Sequence, residues 1–167
     1  MSQIDKIIDG IYLGDIRAAQ NLFCLKSKGV THVLQALGGM SPPHPNHFNY
    51  KVLQVMDVPW ENLGRHFMDA ANFIKTALKE GGTVFVHCWA GISRSTSCII
   101  AYLMVQYGMT FQKGLNVCRA GRHFVNPNPG FRKQLLEFES KLRNMRKEQR
   151  MPEAADFKSE HPKFAMD

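Results

Sequence analysis

Residues 83–107 leave the chain little local choice: a strand, a sharp turn, then a helix. Thr83-Val84-Phe85-Val86 is a short apolar run of β-branched and aromatic side chains, the mark of a buried strand. Residues 96–107 form a longer apolar run of helical length. Between them lies His87-Cys88-Trp89-Ala90-Gly91-Ile92-Ser93-Arg94-Ser95, where a cysteine and an arginine bracket a five-residue turn.

The rest of the chain keeps alternating. Residues 7–15 read as one short strand between glycine turns, and Asp15 is placed to cap a helix over 16–28 that Gly29 ends. Residues 30–37 are β-rich, 38–49 form a loop with prolines and histidines, and 50–56 read as a strand ending at Asp57. Helical spacing over 63–78 puts Phe67, Ala70, Ala71, Ile74 and Leu78 on one side, and Gly81-Gly82 stops it. Gly108 breaks the helix after the turn, and Thr110 is placed to cap another through Leu115 to Cys118. Asn126-Pro127-Asn128-Pro129-Gly130 reads as a rigid turn before a long amphipathic helix from Phe131. Periodicity fades from Met151, so a basic, mobile tail over 146–167 is expected behind one domain of residues 1–145. No repeat is evident. Strands alternating with helices predict an α/β domain with a mostly parallel sheet, its site at the carboxyl ends of strands.

The turn at 88–94 suits a phosphate. Successive backbone N–H groups in such a turn can point inward, and the first unpaired N–H groups of the following helix add to them. The helix dipole favours negative charge there. Arg94 can hold two phosphate oxygens with its planar fork. The same positive field favours the thiolate of Cys88, and a thiolate beneath a cradled phosphate is a nucleophile aimed at phosphorus. The plainer reading is a buried structural cysteine near a surface arginine.

Composition narrows the setting. The chain has 167 residues, enough for one domain with a core, and 44% are hydrophobic, ordinary for a soluble globular protein. No apolar run reaches membrane-span length. Met1-Ser2-Gln3-Ile4-Asp5-Lys6 lacks a signal peptide's regions and does not fit a myristoylation pattern. Cys24, Cys88, Cys98 and Cys118 form no Cys-x-x-Cys pair, and no histidine spacing matches a zinc site, so neither metal nor other cofactor is expected. Cys24, Cys98 and Cys118 read as core residues in a reducing compartment, the cytoplasm, with the nucleus open as a second location. The net charge of +7 suits nucleic acid, acidic membranes or phosphorylated substrates. Much of it comes from residues 141–150, which read as a solvated helix end. No aromatic residues interleave there, so a nucleic-acid partner is not expected.

His87-Cys88 with Arg94-Ser95 resembles the His-Cys-x5-Arg-Ser/Thr signature of the cysteine-dependent protein phosphatases, and Gly91-Ile92-Ser93-Arg94-Ser95 resembles that of their dual-specificity branch. Ile11-Tyr12-Leu13-Gly14-Asp15 and Gly29-Val30-Thr31-His32-Val33-Leu34 resemble the start of such a catalytic domain. Asn126 to Phe131 with Gln134-Leu135 resembles its end, so residues 3–142 are covered. The resemblance implies a central five-stranded, mostly parallel sheet flanked by helices. It implies a small, monomeric catalytic-domain-only protein with no room for the docking domain of longer members. It implies a phosphorylated protein as substrate, with MAP kinases as the family-level candidate.

The resemblance also implies roles. Cys88 would attack phosphorus and form a phosphocysteine, while Arg94 and the backbone of Trp89, Ala90, Gly91, Ile92 and Ser93 hold the oxygens. Ser95 would hydrogen-bond the sulfur; its plainer role is a helix cap. His87 would orient the loop. The family's acid lies on a loop about thirty residues before the cysteine, where Asp57 follows a strand and Glu61 and Asp69 are competitors. A turn cap is the plainer role of Asp57. Asn128 matches the asparagine that braces the phosphate loop, or simply forms a turn.

Three readings follow. One is a protein phosphatase acting on phosphotyrosine and phosphoserine or phosphothreonine. Another is a phosphatase of the same fold for lipids, glycans or RNA ends, disfavoured by uncharged Trp89, Ala90, Ile92 and Ser93 and by the lack of a carbohydrate module. The third is a non-catalytic phosphoprotein-binding module. The short chain predicts a shallow pocket walled by residues 57–63, 89–93 and 126–130, with Trp89 and the 38–49 loop shaping its rim.

Overall fold

The computed structural model describes residues 3–165. Met1 and Ser2, read above for targeting, and the last two residues of the expected tail lie outside the described residues. The chain opens with a hairpin. Strand β1 (Ile4–Ile8) turns back antiparallel into β2 (Ile11–Gly14). One strand over 7–15 is thus replaced by two, because Asp9-Gly10 is a two-residue hairpin turn with Gly10 at φ +85°. The expected helix over 16–28 is also two, α1 (Ile16–Gln20) and α2 (Leu22–Ser27). Asn21 divides them: it closes α1 and its side chain accepts from Cys24 N–H to start α2.

Strand β3 (His32–Ala36) pairs in parallel with β4 (Asn49–Leu53). β4 stops short of the expected Met56, where the ladder with β3 runs out at Ala36 and Leu53. A 3-10 turn at Gly64–His66 leads into α3 (Phe67–Lys79), then β5 (Val84–His87). Helix α4 (Arg94–Tyr107) starts two residues earlier than its apolar run and ends at Gly108, φ +64°, whose N–H reaches Met104 O. Thr110 caps α5 (Phe111–Gly121). Helix α6 (Pro129–Lys147) begins inside the expected turn, with Asn128 as cap and proline in its first turn.

The sheet order is β1-β2-β5-β3-β4, with only β1 antiparallel to its neighbour. β5 lies in the middle and is buried on both faces. Val84 and Val86 face the large core beneath α3, α4, α5 and α6, while Phe85 faces a smaller one with Ala18, Ala19, Leu25, Val30 and Val33. Cys98 and Cys118 are buried as expected, but Cys24 is only half-buried on α2. The register pairs Gly14 and Gln35 with His87, so the strands on either side of β5 end level with it. Whatever follows β5 therefore emerges at a common carboxyl edge.

The segment after α6 differs from a mobile tail. A short helix, α7 (Phe157–Glu160), folds back and places Phe157 in the large core. The Phe157 ring meets Tyr107 edge-on at 4.9 Å, and Ala155 N–H donates to Gln106 O at 2.9 Å at the end of α4. Charge in residues 146–150 masks this in the sequence, because one aromatic anchor gives no periodicity. Phe157→Ala should lower unfolding stability by about 3 kcal/mol in urea titration. A change near zero would contradict this packing.

Candidate active site

β5 ends at His87 and α4 starts at Arg94, so residues 88–93 form a loop at the sheet's carboxyl edge. Each of its carbonyls meets a donor. Cys88 O accepts from His87 Nδ1 at 3.0 Å and Trp89 O from Ile16 N–H at 2.9 Å. Ala90 O and Gly91 O accept from Arg122 Nη2 and Nε at 3.2 and 2.9 Å. Ile92 O accepts from Asn126 N–H at 2.9 Å, and Ser93 O from Ser97 N–H at 3.0 Å and Ser97 Oγ at 2.8 Å. In a planar trans peptide the next N–H points opposite the carbonyl. With six carbonyls tethered outward, the N–H groups of residues 89–94 turn inward, an anion cradle. Gly91 sits at φ +68°, and a side chain there would strike the Gly14 backbone and Arg122.

Cys88 Sγ lies at the floor of this loop, 3.0 Å from Ser95 Oγ. Ser93, not Ser95, occupies the cap position of α4, so the hydroxyl of Ser95 is left for the sulfur. Arg94 is buried; its Nη1 donates to Val55 O at 3.1 Å while Nε has no partner. His87 is buried and stacked on Phe85 at 5.4 Å. Burial pushes its imidazole down to about 4, so it is neutral at pH 7, and Nδ1 carries the proton given to Cys88 O.

Asn128 ties the second half of the site to the first. Its N–H donates to Ser93 Oγ at 2.9 Å, and its Nδ2 donates to Asp57 Oδ1 at 2.9 Å. Its Oδ1 still caps α6 through Phe131 N–H, so the turn-forming and bracing roles coexist. Glu61 is spent on its own loop, accepting from Met56 N–H at 2.7 Å and Asn62 N–H at 3.1 Å. Asp69 lies in the first turn of α3, exposed. Of the three carboxylates, Asp57 is the one joined to the loop of Cys88. Gln134 on α6 clamps the same segment through Gly64 N–H and Glu61 O, both at 2.8 Å. Gly130 lets α6 approach, since a side chain there would collide with the Pro59 backbone. Among the described residues no group of three or more His, Cys, Asp or Glu side chains could hold a metal ion, and no helix is long and apolar enough to cross a membrane. Clefts of about 470 and 440 Å³ lie elsewhere, beside the end of α4.

Such a site, a thiol under a ring of N–H groups with an arginine and a carboxylate beside it, can hold a phosphate and attack it. Comparison with known proteins agrees. Residues 11–141 match the dual specificity phosphatase catalytic domain. The chain belongs to the dual specificity phosphatase family. It is 40% identical to dual specificity protein phosphatase 1B of Arabidopsis thaliana over 83% of each chain. The crystal structure of DUSP15 superposes with a TM-score of 0.78 at 35% identity, covering 90% of this chain and 98% of that one. That of the human tyrosine phosphatase-like serine/threonine/tyrosine-interacting protein gives 0.79 at 35% identity, covering 83% and 96%. The five-stranded sheet flanked by helices is thus the fold of this family's cysteine phosphatases.

Sequence reasoning missed Arg122 and Asp5. Arg122 follows α5, is 2% exposed, and its Nη1 pairs with Asp5 of β1 at 2.7 Å while its other nitrogens hold the phosphatase loop. Nothing local separates Arg122 from the chain's other basic residues; only its burial does, and burial needs the fold. Arg122→Ala should cost about 3 kcal/mol of stability by leaving buried carbonyls and Asp5 unpaired. It should also reduce kcat by roughly tenfold to a hundredfold, through loss of positioning. Asp5→Asn, which keeps a hydrogen-bond acceptor, should do less of both. Unaltered kcat in folded Arg122→Ala would show that the tether is dispensable.

His87 gives a pH prediction. The unfolded histidine titrates near 6.5, so between there and about 4 the unfolded chain binds more protons than the fold. Stability should therefore fall as pH drops through that window, by roughly 3 kcal/mol in all. Denaturation midpoints at several pH values should show the slope in the parent protein and a shallower one in His87→Asn.

Proposed function

We propose that this dual specificity phosphatase hydrolyses phosphotyrosine and phosphoserine or phosphothreonine in proteins, through a phosphocysteine. The observation that carries the reading is the outward tethering of all six loop carbonyls above Cys88. The N–H groups of Trp89, Ala90, Gly91, Ile92, Ser93 and Arg94, with the Arg94 guanidinium, hold the phosphate oxygens as charge redistributes. Cys88 thiolate attacks phosphorus; the P–O bond to the side chain breaks, and Asp57 gives the leaving oxygen its proton. Asp57, now a carboxylate, takes a proton from water as that water attacks phosphocysteine. Phosphate departs and the thiolate returns, stabilised by the Ser95 hydroxyl 3.0 Å away. Asn128 holds Asp57 and the loop in register. No cofactor enters these steps.

The substrate is a phosphoprotein, with MAP kinases as the first candidates. Four free cysteines support a reducing, cytoplasmic setting. One structural neighbour is a phosphatase-like interacting protein, so a binding-only role is the reading to exclude. Turnover of an aryl phosphate in reductant and EDTA excludes it. Cys88→Ser should abolish turnover yet still bind phosphopeptide, and residual hydrolysis there would end the assignment. Asp57→Asn should slow phosphothreonine peptides by about 10²- to 10⁴-fold and an aryl phosphate with a good leaving group far less. Equal slowing of both substrates, or slowing of neither, would move the acid elsewhere.

A further inference from the structure

Both tryptophans of this chain are exposed at its site. Trp89 follows Cys88 directly and is 62% exposed; Trp60 lies three residues after Asp57 and is 81% exposed. Met56, just before Asp57, is 58% exposed. Only two other large apolar side chains among the described residues are comparably exposed, Phe23 and Leu136. Three of the five thus crowd onto the two short segments that carry Cys88 and Asp57. Neither segment is loose: Trp89 O is held by Ile16 N–H, and the Trp60 segment is fixed by Glu61, Gln134 and the close approach of Gly130 to Pro59. Large apolar side chains left in water and gathered on the segments that carry a site are what a binding surface offers.

What covers them follows from depth. The phosphate is fixed by the loop's N–H groups, so the first atoms outside it belong to the phosphorylated side chain. For phosphotyrosine these are a ring, and for phosphothreonine they are a methyl group and then backbone. Trp89 belongs to the cradle itself and its indole is exposed, so it is within reach of that layer. Ala90, Gly91 and Ser93 beside it are too small to do so. We propose that Trp89 and Trp60, with Met56, form an apolar collar that packs on the phosphotyrosyl ring and biases the enzyme toward phosphotyrosine. This rests on the protein-phosphatase reading above. It adds a selectivity which leaving-group chemistry alone does not give, because it resides in side chains that take no part in bond making.

Matched phosphotyrosine and phosphothreonine peptides with identical flanks test it. The kcat/KM ratio between them should fall about tenfold in the Trp60→Ala, Trp89→Ala double variant, mostly through KM for phosphotyrosine. Trp60→Phe and Trp89→Phe should keep most of it. Since the chain has only these two tryptophans, its fluorescence reports the collar directly. In Cys88→Ser, a phosphotyrosine peptide should shift the emission and inorganic phosphate should not. An unchanged ratio in the double variant, or calorimetric binding of the phosphotyrosine peptide without an emission change, overturns the collar while leaving the phosphatase reading intact. If the parent protein cleaves an aryl phosphate but no phosphopeptide, that reading fails and the collar falls with it.

Discussion

Six peptide carbonyls facing away from Cys88 are the constraint on which the rest of this structure depends. A loop with its N–H groups turned inward gathers like partial charges, an arrangement that folding would relax by flipping peptides. Each flip is prevented here by a specific donor. A carbonyl turned inward would forfeit its bond and leave Arg122, Ile16 or Asn126 with an orphan donor, at about 1–3 kcal/mol each. The fold itself therefore holds the loop in this shape, which is the preorganisation that the proposed phosphate cradle requires.

The residues that hold the loop and its arginines come from everywhere in the chain. Asp5 on β1 orients Arg122 after α5; Ile16 opens α1; Asn126 and Asn128 precede α6; Val55 follows β4 and fixes Arg94. They meet because β5 is central in the sheet, with β2 and β3 ending level with it. An order that put β5 at an edge would bring neighbours to one side only. The sheet's topology is thus expressed in hydrogen bonds to a six-residue loop.

That explains which parts are legible in the sequence. The strand, turn and helix around Cys88, the parallel sheet and the glycine stops are readable, because each depends on local pattern or on one residue's backbone freedom. Asn128 is readable only through a family resemblance, and its contacts show why an asparagine serves: its Nδ2 donates to Asp57 while its Oδ1 still caps α6, and its backbone N–H reaches Ser93 Oγ. Arg122 is invisible, since a buried arginine and a surface arginine share one letter. The hairpin at Asp9-Gly10 is within reach yet merges into one strand, because Ile8 and Ile11 flank the turn so closely that the apolar run looks continuous. Phe157 is hidden for a different reason: a single anchor after a charged stretch leaves no periodic signal, yet its ring packs on Tyr107 at the far end of the helix that carries Arg94.

The site divides by how its groups are satisfied. At the lower level the loop carbonyls are paired and the side chains from His87 to Arg122 are buried, so geometry there is set by the fold and tolerates little change. At the upper level, the proposed collar, Trp60, Trp89 and Met56 stand in water on backbone that is itself fixed. Substituting a side chain at the upper level removes no internal bond, so it alters what the site selects at little cost to folding. Substituting at the lower level breaks the cradle. Chemistry and selectivity are thereby placed in layers with different tolerance to mutation, although Cys88 and Trp89 are adjacent in the chain.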